Sequence, residues 1–223
     1  MMEEFLRLVD PSLMPRSGAV FYSGRSAFSR PSPVYLLGLN PGGSPLLQRE
    51  ETIARDMDAA ITRSSDEWSA YSDDSWKGKP PGTHGLQPRV IHMFSALGLP
   101  PCRVPASNVV FVRTARESDL RRESAELLNA CWPVHQAVIQ ALGVRVCLCL
   151  GRTAGRWVRE RLHADEPDGE LREANARKWL STSHRNADGM RVMTLTHPSI
   201  ADWKAPESDP TPLVQDVLSR SAK

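Results

Sequence analysis

Four short apolar runs, each bounded by turn residues, punctuate the chain: residues 34–39 in PVYLLGL, NVVFV at 108–112, VRVCLCL at 144–150 and MRVMTLT at 190–196. Continuous runs of this length, rich in Val and Leu, read as strands buried on both faces. Helical spacing fills the intervals. Leu47, Ile53, Met57 and Ile61 predict a helix over 46–63. Leu86, Val90, Phe94 and Leu97 predict a second, stopped by Gly98 and Pro100. A third is expected over roughly 118–142, bent near Pro133. After the third run, Ala154, Trp157, Val158 and Leu162 share one helical face, opposite Arg152, Arg156 and Arg159, which read as a solvated outer surface. A short amphipathic start (Phe5, Leu6, Leu8, Val9) and a helix around 211–221 complete the pattern. Residues 64–85 are rich in Ser, Asp, Gly and Pro and read as a long loop. Strands alternating with helices predict a three-layer α/β/α domain around a central, mostly parallel four-stranded sheet. The expected unit is one domain over 1–223 with a loop-rich insertion at 46–85.

Composition narrows the class. Hydrophobic residues make up 40% of the 223, which excludes global disorder, and no apolar run approaches the ~20 residues of a membrane helix. The start, MMEEFLRLVD, lacks the basic and apolar regions of a secretory signal, so a soluble intracellular monomer without membrane contact is expected. The four cysteines have neither zinc-ligand spacing nor a Cys-x-x-Cys pair, and Cys147 and Cys149 alternate within a strand as core residues. Neither metal nor other cofactor is expected. Lys+Arg (28) nearly balance Asp+Glu (26), for a net charge of +2, so a broad basic face is not expected.

Ligands of parallel α/β sheets bind beyond the carboxyl ends of the strands, which directs attention to GLNPG (38–42), Arg113-Thr114-Ala115, Gly151-Arg152-Thr153-Ala154 and His197-Pro198-Ser199. Neither a G-x-G-x-x-G fingerprint nor a phosphate-binding loop with its lysine follows the first strand. In GLNPG, Pro41 restricts Asn40 and fixes its own φ, while Gly42 and Gly43 let a ligand approach the backbone. An amide there accepts or donates a hydrogen bond but is no strong base. Alone, GLNPG reads first as a plain turn and HPS as a structural strand end. A strand-end imidazole is also a donor to an oxygen that gains negative charge.

Together and in this order, these segments resemble the uracil-DNA glycosylase superfamily. GLNPG is similar to the asparagine form of its first motif, found in the mismatch-specific and single-strand-selective branches, and THPS (196–199) to its second. HGLQPRVIHMFSALGL followed by Asn108 to Arg113 resembles the iron–sulfur branch, and LCLGRTA (148–154) the strand-to-helix junction. The resemblance spans roughly residues 33–200.

It implies a monofunctional hydrolase that releases a deaminated or mismatched base, above all uracil, from DNA and leaves an abasic site. Asn40 would position the attacking water, His197 would hydrogen-bond the base carbonyl that accumulates charge, and Asn108 would read the edge of the flipped base. Gly38, Leu39, Pro41, Gly42, Gly43, Pro198 and Ser199 would line the base and DNA site, with Arg113 near phosphate. Trp76, with Tyr71 behind it, is the candidate stacking aromatic. The chain departs from the pattern in three ways. A carboxylate replaces Asn40 in the most active branches. The cysteines do not match the cluster ligands of the iron–sulfur branch. The segment IADW after HPS lacks the usual duplex wedge, leaving Ile200 as the candidate and favouring single-stranded or mispaired substrates. Alternatives are a glycosylase for hypoxanthine or another base, and a non-catalytic nucleic-acid-binding protein on the same fold.

The charge balance generates one expectation. DNA binding should involve few phosphates, so log K against log[salt] should have a shallow slope, each contact contributing about −0.7 to −0.9. Titrations at several salt concentrations measure it, and a slope of lac-repressor size, about −10, would contradict it.

Overall fold

Three of the four apolar runs form parallel strands of one sheet, and the run at 108–112 leaves the end of a fourth. A computed structural model describes residues 1–120 and 123–221. Its strands are β1 (Val34–Gly38), β2 (Ala106–Asn108), β3 (Val146–Leu150), β4 (Glu166–Arg172), β5 (Leu180–Arg185) and β6 (Arg191–Leu195). They form a six-stranded sheet in the order β2-β1-β3-β6-β5-β4. The first four strands in that order run parallel, and β5 and β4 continue the sheet as an antiparallel ribbon.

The helices are α1 (Met2–Leu6), α2 (Ile53–Thr62), α3 (Gln87–Ala96), α4 (Ser124–Leu142), α5 (Arg152–Leu162) and α6 (Thr211–Ser221). Successive strand side chains point to opposite faces, and the two apolar cores follow that alternation. Tyr35, Leu37, Cys147, Cys149 and Val192 face α1, α4 and α5. Val34, Leu36, Val146, Leu148, Leu150, Met193 and Leu195 face α3 and α6. The result is α/β/α layering. No helix among the described residues is long and apolar enough to cross a membrane.

Three expectations require correction. The sheet has six strands rather than four. The added ribbon, EPDGELR and LSTSHR, is largely solvated along β4 and contains no apolar run. It also carries His184. Next, the second ladder is Ala106–Asn108 rather than 108–112. Residues 109–112 continue as buried irregular chain, with Val109 and Val110 N–H still donating to the Gly38 and Leu39 carbonyls at 2.9 Å. Their outer edge is covered by the segment around 18–22, through bridges Gly18–Val112 and Phe21–Ser107, so it exposes no pairing template. Finally, the helix expected over 46–63 begins at Ile53, capped by the Thr52 hydroxyl. Residues 44–51 instead form hydrogen-bonded turns, leaving Leu46 and Leu47 exposed.

The long helix over 118–142 is also shorter at its start. Residues 117–120 form a 3-10 turn, 121–122 lie outside the described residues, and α4 accommodates Pro133 in its interior. The polar segment 64–85 is tied down rather than free. Fully buried Gln87 donates to the Ala70 and Asp74 carbonyls, both at 2.8 Å.

Behind β1, fully buried His135 links α4 to the sheet. Its Nε2 lies 3.2 Å from the Val109 carbonyl, which only accepts, so Nε2 carries the proton. Nδ1 then accepts from the Tyr35 hydroxyl at 2.9 Å. Burial pulls the imidazole down to about 4 from its ordinary 6.5. Between these values the unfolded chain binds a proton that the native site refuses, so His135 costs stability as the pH falls through that window. From pH 7 to pH 5 the loss from this residue should be about 2 kcal/mol, at 1.36 kcal/mol per pKa unit. Urea unfolding at both values should show His135→Gln losing less stability than the parent by about that amount. Equal losses would overturn the assignment.

Candidate functional site at the strand ends

Parallel pairing brings the carboxyl ends of β2, β1, β3 and β6 to one edge. Gly38 stands opposite Asn108, Leu37 opposite Cys149, and Leu150 opposite Leu195. Neighbouring strands lie ~4.8 Å apart, so the exits of β1 and β6, two strands removed, are separated by roughly 10 Å. Asn40, Asn108, Gly151 and His197 all sit on this edge.

Asn40 follows β1 closely, and its orientation is dictated by its neighbours. Nδ2 lies 3.0 Å from the Pro41 carbonyl, 3.2 Å from the Val112 carbonyl and 2.8 Å from Thr114 Oγ1. Both carbonyls can only accept. Thr114 spends its own proton on the Arg116 carbonyl at 3.0 Å, so it also accepts. The amide nitrogen must therefore face these three oxygens, which leaves Oδ1 as the side-chain atom the site presents.

The rest of the loop is braced. Arg113 donates to Ser17 Oγ at 3.1 Å, to the Gly42 carbonyl at 2.6 Å and to Glu51 at 2.8 Å. Its side chain is only 10% exposed, so the structure gives it a bracing position rather than that of an open phosphate contact. Gly43 has φ +121°, and a Cβ there would meet Gln48 Oε1 at 2.0 Å. Gly42 forms a parallel bridge with Thr114 and faces open space. Pro41 is buried, whereas Leu39 is half-buried against the core under α4.

Asn108 ends β2 and is 7% exposed. Its side chain lies over Gly38, where a Cβ would come within 2.1 Å of Oδ1. The aromatic beside it is Tyr22. Burial, then Asp56, push the Tyr22 phenol up to about 12, opposed by Arg113 and by a hydrogen bond with the Asn108 side chain. Half-buried Asp56 holds this segment by accepting the Val20 N–H at 2.7 Å. Trp76 lies farther along an aromatic chain: Tyr22 to Tyr71 at 6.1 Å, then Tyr71 to Trp76 at 6.0 Å. Tyr71 is buried, and Trp76 packs half-buried on the core under α3. Sequence reasoning missed Tyr22. The available signal was the β-type run Ala19-Val20-Phe21-Tyr22.

His197 follows β6, and its tautomer is also settled by a neighbour. The Ser199 backbone N–H donates to Nδ1 at 3.1 Å, and the Ser199 hydroxyl lies 2.7 Å from the same atom. A backbone N–H has no lone pair, so Nδ1 accepts and Nε2 bears the proton. Burial lowers the His197 pKa, with Glu117 acting in the opposite sense. The ring thus presents a neutral donor. Pro198 is buried, and its carbonyl accepts from Arg89 of α3. Trp203, fully buried, donates to the Thr196 carbonyl at 3.0 Å and so anchors the strand end. Gly151, at φ +93°, lies against the imidazole, where a Cβ would be 3.2 Å from Cδ2.

Among the described residues no group of three or more His, Cys, Asp or Glu side chains is placed to hold a metal ion. No family model matches the chain, and the search of curated proteins finds no significant match.

The Gly38–Asn108 contact makes a prediction that needs no functional assumption. Gly38→Ala should destabilise by about 1–3 kcal/mol, as overpacking does. Asn108→Ala in the same chain should recover part of that loss. Denaturant unfolding of the four proteins of the cycle should give a coupling above about 0.5 kcal/mol. Additive effects would show that the two side chains do not meet.

Proposed function

We propose that the protein is a DNA glycosylase that hydrolyses the N-glycosidic bond of a deaminated or mispaired base, with uracil as the leading substrate. One observation carries this reading: a side-chain acceptor, Asn40 Oδ1, and a neutral side-chain donor, His197 Nε2–H, are held on the same sheet edge. Breaking the bond between C1′ and the base sends its electron pair to the base and leaves an oxocarbenium-like sugar. Water adding to such a cation needs placement more than deprotonation, and an amide oxygen supplies placement. The anion growing on the base carbonyl needs a preoriented donor in a site away from bulk water, and the His197 N–H supplies it. Such a donor is worth ~2.7–4 kcal/mol in other enzymes.

Asn108, over Gly38, supplies the amide that reads the polar edge of a flipped base, and Tyr22 is an aromatic hydrogen-bonded to it. The product is an abasic site, reached without a Schiff-base lysine. Flipping costs least for unpaired or mispaired bases, which makes single-stranded and mismatched DNA the preferred substrates.

Labelled oligonucleotides carrying uracil, hypoxanthine or a mismatch, single- and double-stranded, test the proposal when abasic sites are cleaved with alkali. Strand breaks are expected with the parent, and His197→Ala should lower kcat by about 10²–10³-fold. Asn40→Ala should also lose most activity, and Asn108→Asp should change which base is released. Binding without breaks on every lesion would instead identify a non-catalytic nucleic-acid binder.

A further inference from the structure

The segment 113–119, which follows the chain leaving β2, spans the two groups just described. At one end Thr114 accepts from Asn40. At the other, Glu117 Oε1 accepts from the Thr153 hydroxyl, in the first turn of α5, at 2.5 Å. That turn begins at Gly151, which packs on the His197 ring. The segment is stiffened internally. Arg116 N–H donates to Asp119 Oδ2 at 3.0 Å, Asp119 N–H donates back to the Arg116 carbonyl at 3.1 Å, and Leu120 anchors the turn in the core. Glu117 is therefore a carboxylate on a segment that is tied to Asn40 through Thr114 and to the turn beside His197 through Thr153, and it acts on His197 electrostatically.

The other carboxylates around this edge are engaged. Glu51 receives Arg113 and Gln48, Asp119 closes its own turn, and Asp202 receives Arg89 and the Lys204 N–H. Glu117 is exposed, and among the described residues the hydrogen bond from Thr153 to its Oε1 is its one recorded side-chain contact. Asn40 cannot take up a proton at neutral pH, so a carboxylate on this edge would add a proton acceptor to the placement that the amide supplies.

We propose that Glu117 is a further catalytic residue of this site, the carboxylate partner of the Asn40 amide. The proposal rests on the glycosylase reading. The bond between C1′ and the base breaks with its pair passing to the base, and the oxygen of water, held by Asn40, bonds to C1′. The proton that this oxygen sheds passes to the Glu117 carboxylate and from there to solvent. A negative charge favours the sugar cation and disfavours the departing anion. Glu117 accordingly acts on the sugar side, and His197 on the base side.

Kinetics on a single-stranded uracil oligonucleotide test the proposal. Glu117→Gln should lower kcat by about 10²-fold, the low end for general base catalysis, with KM changed by less than about twofold. Glu117→Asp should restore part of the loss, and added formate should accelerate Glu117→Ala. All three variants should melt as the parent does, because the side chain is exposed. Parent-level turnover in Glu117→Gln overturns the proposal and leaves the glycosylase reading standing. An equal loss in all three variants with no response to formate also overturns it. A parent that releases no base from any lesion overturns the glycosylase reading, and this proposal with it.

Discussion

Three oxygens converge on the Asn40 amide nitrogen, and the arrangement of the strand-end edge depends on that convergence. One belongs to the Pro41 carbonyl in its own loop, and two, from Val112 and Thr114, belong to the chain that leaves β2. An amide NH₂ has two protons and no lone pair to offer, so it can satisfy only acceptors. The contact therefore does two things. It joins the exits of two adjacent strands, and it turns the amide so that Oδ1 is left for the site. Arg113 reinforces the same junction by tying Gly42 to Ser17 and Glu51.

The opposite side of the edge is held by backbone geometry. Gly151 has a φ of +93° with the imidazole packed against it, conditions that a residue with a side chain would strain. The Ser199 N–H then selects the imidazole tautomer. The loop at β1 thus delivers an acceptor and the turn at β6 a donor. Between them, the segment carrying Glu117 is hydrogen-bonded to the Asn40 side through Thr114 and to the His197 side through Thr153. Rigid placement of weak groups suits a dissociative reaction, in which charge separation dominates the barrier and orientation is the useful contribution.

Legibility in the sequence followed burial. β1, β3 and β6 were readable because strands covered on both faces must be apolar at nearly every position. α3 and α5 were readable because their apolar residues recur at helical spacing. The β4–β5 ribbon was not, since β4 is mostly exposed and its composition resembles a loop. Leu47 misled because it matches a helical spacing with Ile53 and Met57, yet the Thr52 cap starts the helix beyond it. Arg113 looked like an open cation at a strand end. Its partners Ser17 and Glu51 lie far away in sequence, so no local pattern revealed that it is a brace. The closeness of Tyr22 to Asn108 likewise follows from pairing between distant segments.

Local sequence was sufficient to determine that three of the four apolar runs form strands, that parallel pairing aligns their carboxyl ends, and that Asn40 and His197 follow such strands. Periodicity and turn chemistry are local properties, and alignment at one edge is a consequence of parallel pairing. Tertiary structure alone decided which way the Asn40 amide faces, which imidazole nitrogen carries the proton, why position 38 has room only for glycine, and where Glu117 stands. Those features depend on hydrogen-bond partners and close contacts between segments far apart in the chain, and such contacts exist only once the sheet has assembled.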